Sequence, residues 1–140
     1  MAIQAFDHYT IRCRDLDSTS RFYEQALGLK VRPRLDRPIP GAVVSIGELE
    51  VVHLFQATPE QDSVFARMEP SDEATAAWRT GRLHHVEFWA NGLSQVRERL
   101  TVAGVAFSER TLPDKHQLSL RDPDEVQIGL NFPLGELGSG

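Results

Sequence analysis

Three histidines and one glutamate have the types and spacing to do chemistry: His8, His53, His85 and Glu87. Neutral imidazoles suit iron, zinc, nickel or manganese-type divalent ions. Three protein ligands with open positions describe a reactive metal site better than a closed structural one. Glu87 stands two residues from His85 in an extended stretch, so it shares that face at roughly 6–7 Å along the strand. Beside a divalent cation it reads as a general base, a hydrogen-bond partner for a histidine or an outer ligand. The competing role is a salt bridge to Arg12.

Strands must position these groups. In Leu83 to Ala90, alternation puts His85, Glu87 and Trp89 on one face and Val86, Phe88 and Ala90 on the other, with His84 pointing away from His85. Phe6 to Arg12 repeats the plan, with His8, Thr10 and Arg12 on one face and Tyr9 and Ile11 on the other. Both stretches run into a leucine-containing turn, a helical segment and a glycine stop, Gly28 and then Gly104. His8 and His85 lie 77 residues apart and the two glycines 76, so an internal repeat organises the chain. His53 sits mid-strand with Val51 and Phe55, and twofold packing of the repeats would bring all three histidines to one centre.

Each repeat reads βαβββ. In the first, Asp15, Asp17 and Ser18 offer capping oxygens for a helix whose apolar stripe is Phe22, Tyr23, Ala26 and Leu27. Strands follow over Leu29 to Arg34, Ala42 to Ile46 and Leu49 to Phe55, the last two joined around Gly47-Glu48. Pro33, Pro38 and Pro40 make the intervening loop irregular, and it could form one rim of a pocket. Residues 58–82 read as a linker between modules 1–57 and 83–134, with a short helix over Asp72 to Arg79 carrying Trp78. The second repeat continues with a helix over Ser94 to Ala103 and strands near Val105 to Glu109, His116 to Arg121 and Glu125 to Asn131. Gly135 to Gly140 reads as a frayed tail. The fold class is α+β: two tandem βαβββ modules in one domain of 140 residues, forming a cup-shaped mixed sheet around one site.

A net charge of −5 argues against a nucleic-acid partner, and no apolar run reaches the roughly 20 residues of a membrane span. The single cysteine, Cys13, has no internal disulfide partner and reads as a small packed residue. A cytoplasmic location is the default expectation. Arg12 could hold an anion, Phe55 and Trp89 could wall a pocket, and Gln127 and Asn131 share its polar rows. His116 is a weaker acid–base candidate, expected at the solvent.

Asp7-His8, Asp15-Leu16 with Phe22-Tyr23 and Leu27-Gly28-Leu29, His85-Val86-Glu87-Phe88, and Arg121-Asp122-Pro123-Asp124 leading to Leu130-Asn131-Phe132 together resemble the vicinal oxygen chelate superfamily of glyoxalase I, extradiol dioxygenases and bleomycin- and fosfomycin-resistance proteins. The resemblance covers nearly the whole chain. It implies one divalent metal bound from the first and fourth strands of each module, which assigns His8, His53 and His85 as ligands, and it implies a homodimer. The family's strand usually reads Asp-Pro-Asp-Gly-Asn-x-Ile-Glu-Leu. Here the stretch reads Asp122-Pro123-Asp124-Glu125-Val126-Gln127-Ile128-Gly129-Leu130, and Gly129 stands where the ligand glutamate belongs.

Two functions follow as expectations. The first is a metal-dependent enzyme on a small oxygen-chelating substrate, a lyase, isomerase or ring-cleaving dioxygenase, with Glu87 moving a proton. The second is a ligand-binding or drug-sequestering protein of the bleomycin-resistance type with no catalysis. Gly129 favours the second, and three aligned histidines favour the first.

Overall fold

Period-two alternation in two stretches of sequence yields two four-stranded sheets. The computed structural model describes residues 5–35, 40–59 and 85–138. The first module comprises β1 (Tyr9–Cys13), α1 (Leu16–Arg21, continued by a wider π-type turn over Phe22–Ala26), β2 (Lys30–Pro33), β3 (Gly41–Ile46) and β4 (Leu49–Gln56). The second comprises β5 (Val86–Trp89), α2 (Leu93–Val102), β6 (Phe107–Thr111), β7 (His116–Arg121) and β8 (Gln127–Phe132). Strand order is β1-β4-β3-β2 in one sheet and β5-β8-β7-β6 in the other. In each the first strand runs parallel to the fourth and the rest pair antiparallel. The tandem βαβββ modules expected from the repeat are therefore present, each with its own sheet.

The helices begin and end for local reasons. Asp15 caps α1, its Oδ1 accepting from the backbone N–H groups of Asp17 and Ser18 at 3.1 and 3.3 Å. Gly28 and Gly104 end the two helical segments at φ of 70° and 72°, a left-handed conformation that favours glycine at this position. The repeat thus extends to backbone conformation. Of the tail expected to fray over 135–140, residues 135–138 instead belong to a 3₁₀ turn (Leu134–Gly138) whose Glu136 carboxylate accepts from the backbone N–H of Leu93 at 2.8 Å. The expected helix over 72–79 with Trp78, His84 and nearly all of the 58–82 linker lie outside the described residues.

One core serves both modules. Ile11, Tyr23, Ala26, Val52 and Leu54 from the first cluster with Leu100, Leu118, Ile128, Leu130 and Phe132 from the second. Truncating a fully buried member such as Leu100 to alanine would cost about 2–5 kcal/mol. Cys13 lies in this core as the sequence implied, and burial pushes its thiol up to about 12. Polar bonds also cross between the modules at the Asp-Pro-Asp turn. Tyr23 donates its hydroxyl to Asp122 Oδ2 at 3.0 Å, Thr19 donates to Asp124 Oδ2 at 2.5 Å, and Arg14 N–H donates to Asp124 Oδ1 at 2.8 Å. Because each sheet turns one face to the shared core, its other face looks away from that core. Among the described residues, no helix is long and apolar enough to cross a membrane.

Candidate functional site

The two outward faces carry the residues singled out above. On the first sheet, register aligns Thr10, His53, Val43 and Arg32 in one row across the strands. Arg12 pairs with Phe55 one step along, so both candidate substrate residues share this face. His8 precedes β1, and its ring stacks on His53 with centroids 3.7 Å apart and planes 20° from parallel. Asp7 bonds the Nδ1 of His8. Arg34 Nη1 lies 3.1 Å from His53 Nδ1, and Glu50 lies 3.6 Å from its Nε2. Burial, then the neighbouring His8 ring and Arg34, hold His53 below its ordinary pKa of 6.5.

The second sheet holds a tighter network. Glu87 Oε1 accepts from Gln117 Nε2 at 2.7 Å and Asn131 Nδ2 at 2.9 Å, with Lys115 Nζ at 3.5 Å. Glu87 Oε2 lies 3.0 Å from His85 Nε2. Gln117 Nε2 also donates to Asn131 Oδ1 at 2.8 Å, and Arg110 Nε donates to Gln117 Oε1 at 2.9 Å. Gln117 and Asn131 are buried, and the network supplies the partners that burial requires. Hydrogen bonding from Asn131, then from His85, holds the Glu87 carboxyl below its ordinary value of 4.5. These bonds favour the carboxylate form of Glu87. Among the described residues its partners are Gln117, Asn131, His85 and Lys115.

Gly129 lies directly opposite Glu87 on β8. A Cβ there would come within 2.9 Å of Glu87 Cγ and 3.0 Å of Gln117 Nε2. At the position the resemblance assigns to the ligand glutamate, the space beside the glycine is taken by the Glu87 and Gln117 side chains.

The three histidines expected at one centre do not gather within the described residues of one chain. His8 and His53 meet on one sheet while His85 flanks the other, and among the described residues no three His, Cys, Asp or Glu side chains gather where they could hold a metal. The donor chemistry agrees. A guanidinium only donates, so Arg34 takes the lone pair of His53 Nδ1 and leaves Nε2 as the protonated nitrogen. Among the described residues of one chain, these donors do not converge as a divalent ion, whether iron, zinc, nickel or manganese, requires.

The remaining candidates divide. Asn131 belongs to the Glu87 network, and Trp89, in register with Asn131, is 67% exposed. Gln127 lies farther along the same face, at a cavity of about 670 Å³ that also touches Ser108, Ser119 and Phe22. His116 is not at the solvent. It is buried on the helix-covered side, 3.0 Å from Glu109 Oε2 and 2.9 Å from Thr111 Oγ1, so its role is structural. Sequence reasoning missed Gln117, Arg110, Lys115 and Arg34. For Gln117 and Arg110 a signal existed, because pairing β7 antiparallel with β8 and β6 places both in the row of Asn131.

Comparison with known proteins completes the picture. The sequence profile of the Glyoxalase/Bleomycin resistance protein/Dioxygenase superfamily matches residues 5–130. A search of curated proteins gives no match. Among solved structures, a glyoxylase/bleomycin resistance protein/dioxygenase domain from Frankia sp. EAN1pec superposes with a TM-score of 0.66 at 22% identity, covering 94% of this chain and 93% of that one. TnmS3, an antibiotic binding protein from Streptomyces sp. CB03234, gives 0.64 at 21% identity, covering 95% and 98%. The virulence protein STM3117 from Salmonella typhimurium gives 0.64 at 22% identity, covering 96% and 100%.

Proposed function

This chain belongs to the glyoxalase/bleomycin resistance protein/dioxygenase superfamily, and from that membership we propose that it binds a small molecule without needing a metal or carrying out catalysis. The observation that carries this reading is Glu87 lying over Gly129. The side chain that would complete a metal site is absent, and the carboxylate filling its space is committed to Gln117, Asn131, His85 and Lys115. The likeness to an antibiotic binding protein supports it. A homodimer belongs to the reading, since a second copy would close an open sheet face into a pocket. So do a cytoplasmic location and the absence of a nucleic-acid partner.

A metal-dependent enzyme, with lyase, isomerase or dioxygenase chemistry, is the second reading. What favours it is the equivalence of His8 and His85 ahead of β1 and β5, which a dimer could bring to one centre. Elemental analysis of untagged protein, alongside His53→Ala and His85→Ala, separates the two. The binding reading expects no stoichiometric divalent ion and a thermal shift by flat aromatic probes that survives EDTA. About one ion per chain, lost in both variants, would overturn it.

A further inference from the structure

The row of side chains that crosses the second sheet runs Trp89, Asn131, Gln117, Arg110, one from each strand. With strands about 4.8 Å apart, it spans roughly 14 Å. An exposed indole stands at one end and an exposed guanidinium at the other, with a satisfied amide floor between them. Lys115 reaches over this floor, its Nζ 5.9 Å from the Trp89 ring centroid and 3.5 Å from Glu87.

The charges on this face run against those of the chain. The protein carries −5 overall. On the outward side of β5 to β8, among the described residues, Glu87 is the strand carboxylate and is set against Lys115 and Arg110, while Arg121 pairs with Glu125 at the far end. The Arg110 guanidinium, exposed and held through Nε, has terminal N–H donors of the kind that pair with a carboxylate. An indole beside an ammonium favours a flat π-system lying on it.

Resting on the small-ligand reading, we propose that this face selects an aromatic carboxylate, its ring on Trp89 and its anionic group held by Lys115 and Arg110. Lys115 is shared between Glu87 and the ligand, so Glu87 tunes affinity by competing for it. Gln117 and Asn131 act as positioning residues that hold Glu87 and Arg110 in place.

The test compares 2-naphthoate with its neutral analogue 2-naphthalenemethanol. Binding is followed through the Trp89 indole ¹H–¹⁵N signal, assigned by its loss in Trp89→Phe. The carboxylate is expected to bind about tenfold more tightly at low salt, with the preference fading as salt rises toward 1 M. Lys115→Met and Arg110→Met should each erase most of that preference and leave the alcohol unaffected. Glu87→Gln should tighten naphthoate by removing a competing anion. Equal affinity for both probes at Trp89 would overturn the anion preference and leave the small-ligand reading standing. Neither probe moving the Trp89 signal would overturn both at this face.

Discussion

A methyl group at position 129 would stand 2.9 Å from Cγ of Glu87, so the glycine and the glutamate across from it are one arrangement. The neighbours are flexible in themselves but tied by hydrogen bonds to Asn131 and Gln117, so they cannot yield without breaking the network. Gly129→Ala should therefore destabilise the fold by about 1–3 kcal/mol in denaturant unfolding. In a Glu87→Ala background the cost should shrink markedly, and additivity of the two changes would count against the coupling.

Glu125 occupies the turn between β7 and β8 at φ 71°, a region that costs a side chain about 1–2 kcal/mol. Its ion pair with Arg121 is exposed and offsets little of this. Glycine there removes the strain but adds about 0.5–1 kcal/mol of unfolded-state entropy. Glu125→Gly should raise the melting temperature slightly, and a fall would show that the turn's hydrogen bonds through Asp122 depend on this residue.

Of the chain's two tyrosines, Tyr23 is fully buried and Tyr9 is half-buried against the same core. Burial pushes Tyr9 up to about 12 and Tyr23 higher still. Phenolate absorbance near 295 nm should therefore not rise at pH 10.5 in native protein and should rise fully on adding denaturant. Tyr23→Phe removes the hydroxyl that Asp122 accepts across the module boundary and should cost about 1–3 kcal/mol.

Two titrations act on stability with opposite charge but the same sign. Glu109 is held below its ordinary 4.5, first by hydrogen bonding from Arg97. Its contribution is present above 4.5 and is lost as pH falls through the lower folded value. His53 is held below its ordinary 6.5, so the unfolded chain takes up the proton first and stability declines as pH falls below 6.5 toward the folded value. Equilibrium unfolding of His53→Gln should flatten the pH dependence just below 6.5, and Glu109→Gln should flatten it below 4.5. Parent-like slopes in both would show that these groups are not perturbed in the fold.

Much of this protein was legible without coordinates. Period-two alternation, two glycine stops 76 residues apart and Asp15 before an apolar stripe are local signals, and they fix strands, helix ends and the repeat. They also placed His8, His53, Glu87, Trp89 and Asn131 on outward faces. What local pattern could not carry is which residue lies across a strand boundary or above a neighbour, since that depends on register and on how modules pack. Tertiary structure therefore decided that Arg34 occupies His53, that Glu87 fills the space over Gly129, and that His116 turns toward Glu109. It also decided that the faces carrying His53 and His85 lie on separate sheets behind one core, because burying the apolar faces of both sheets together turns their polar faces away from it.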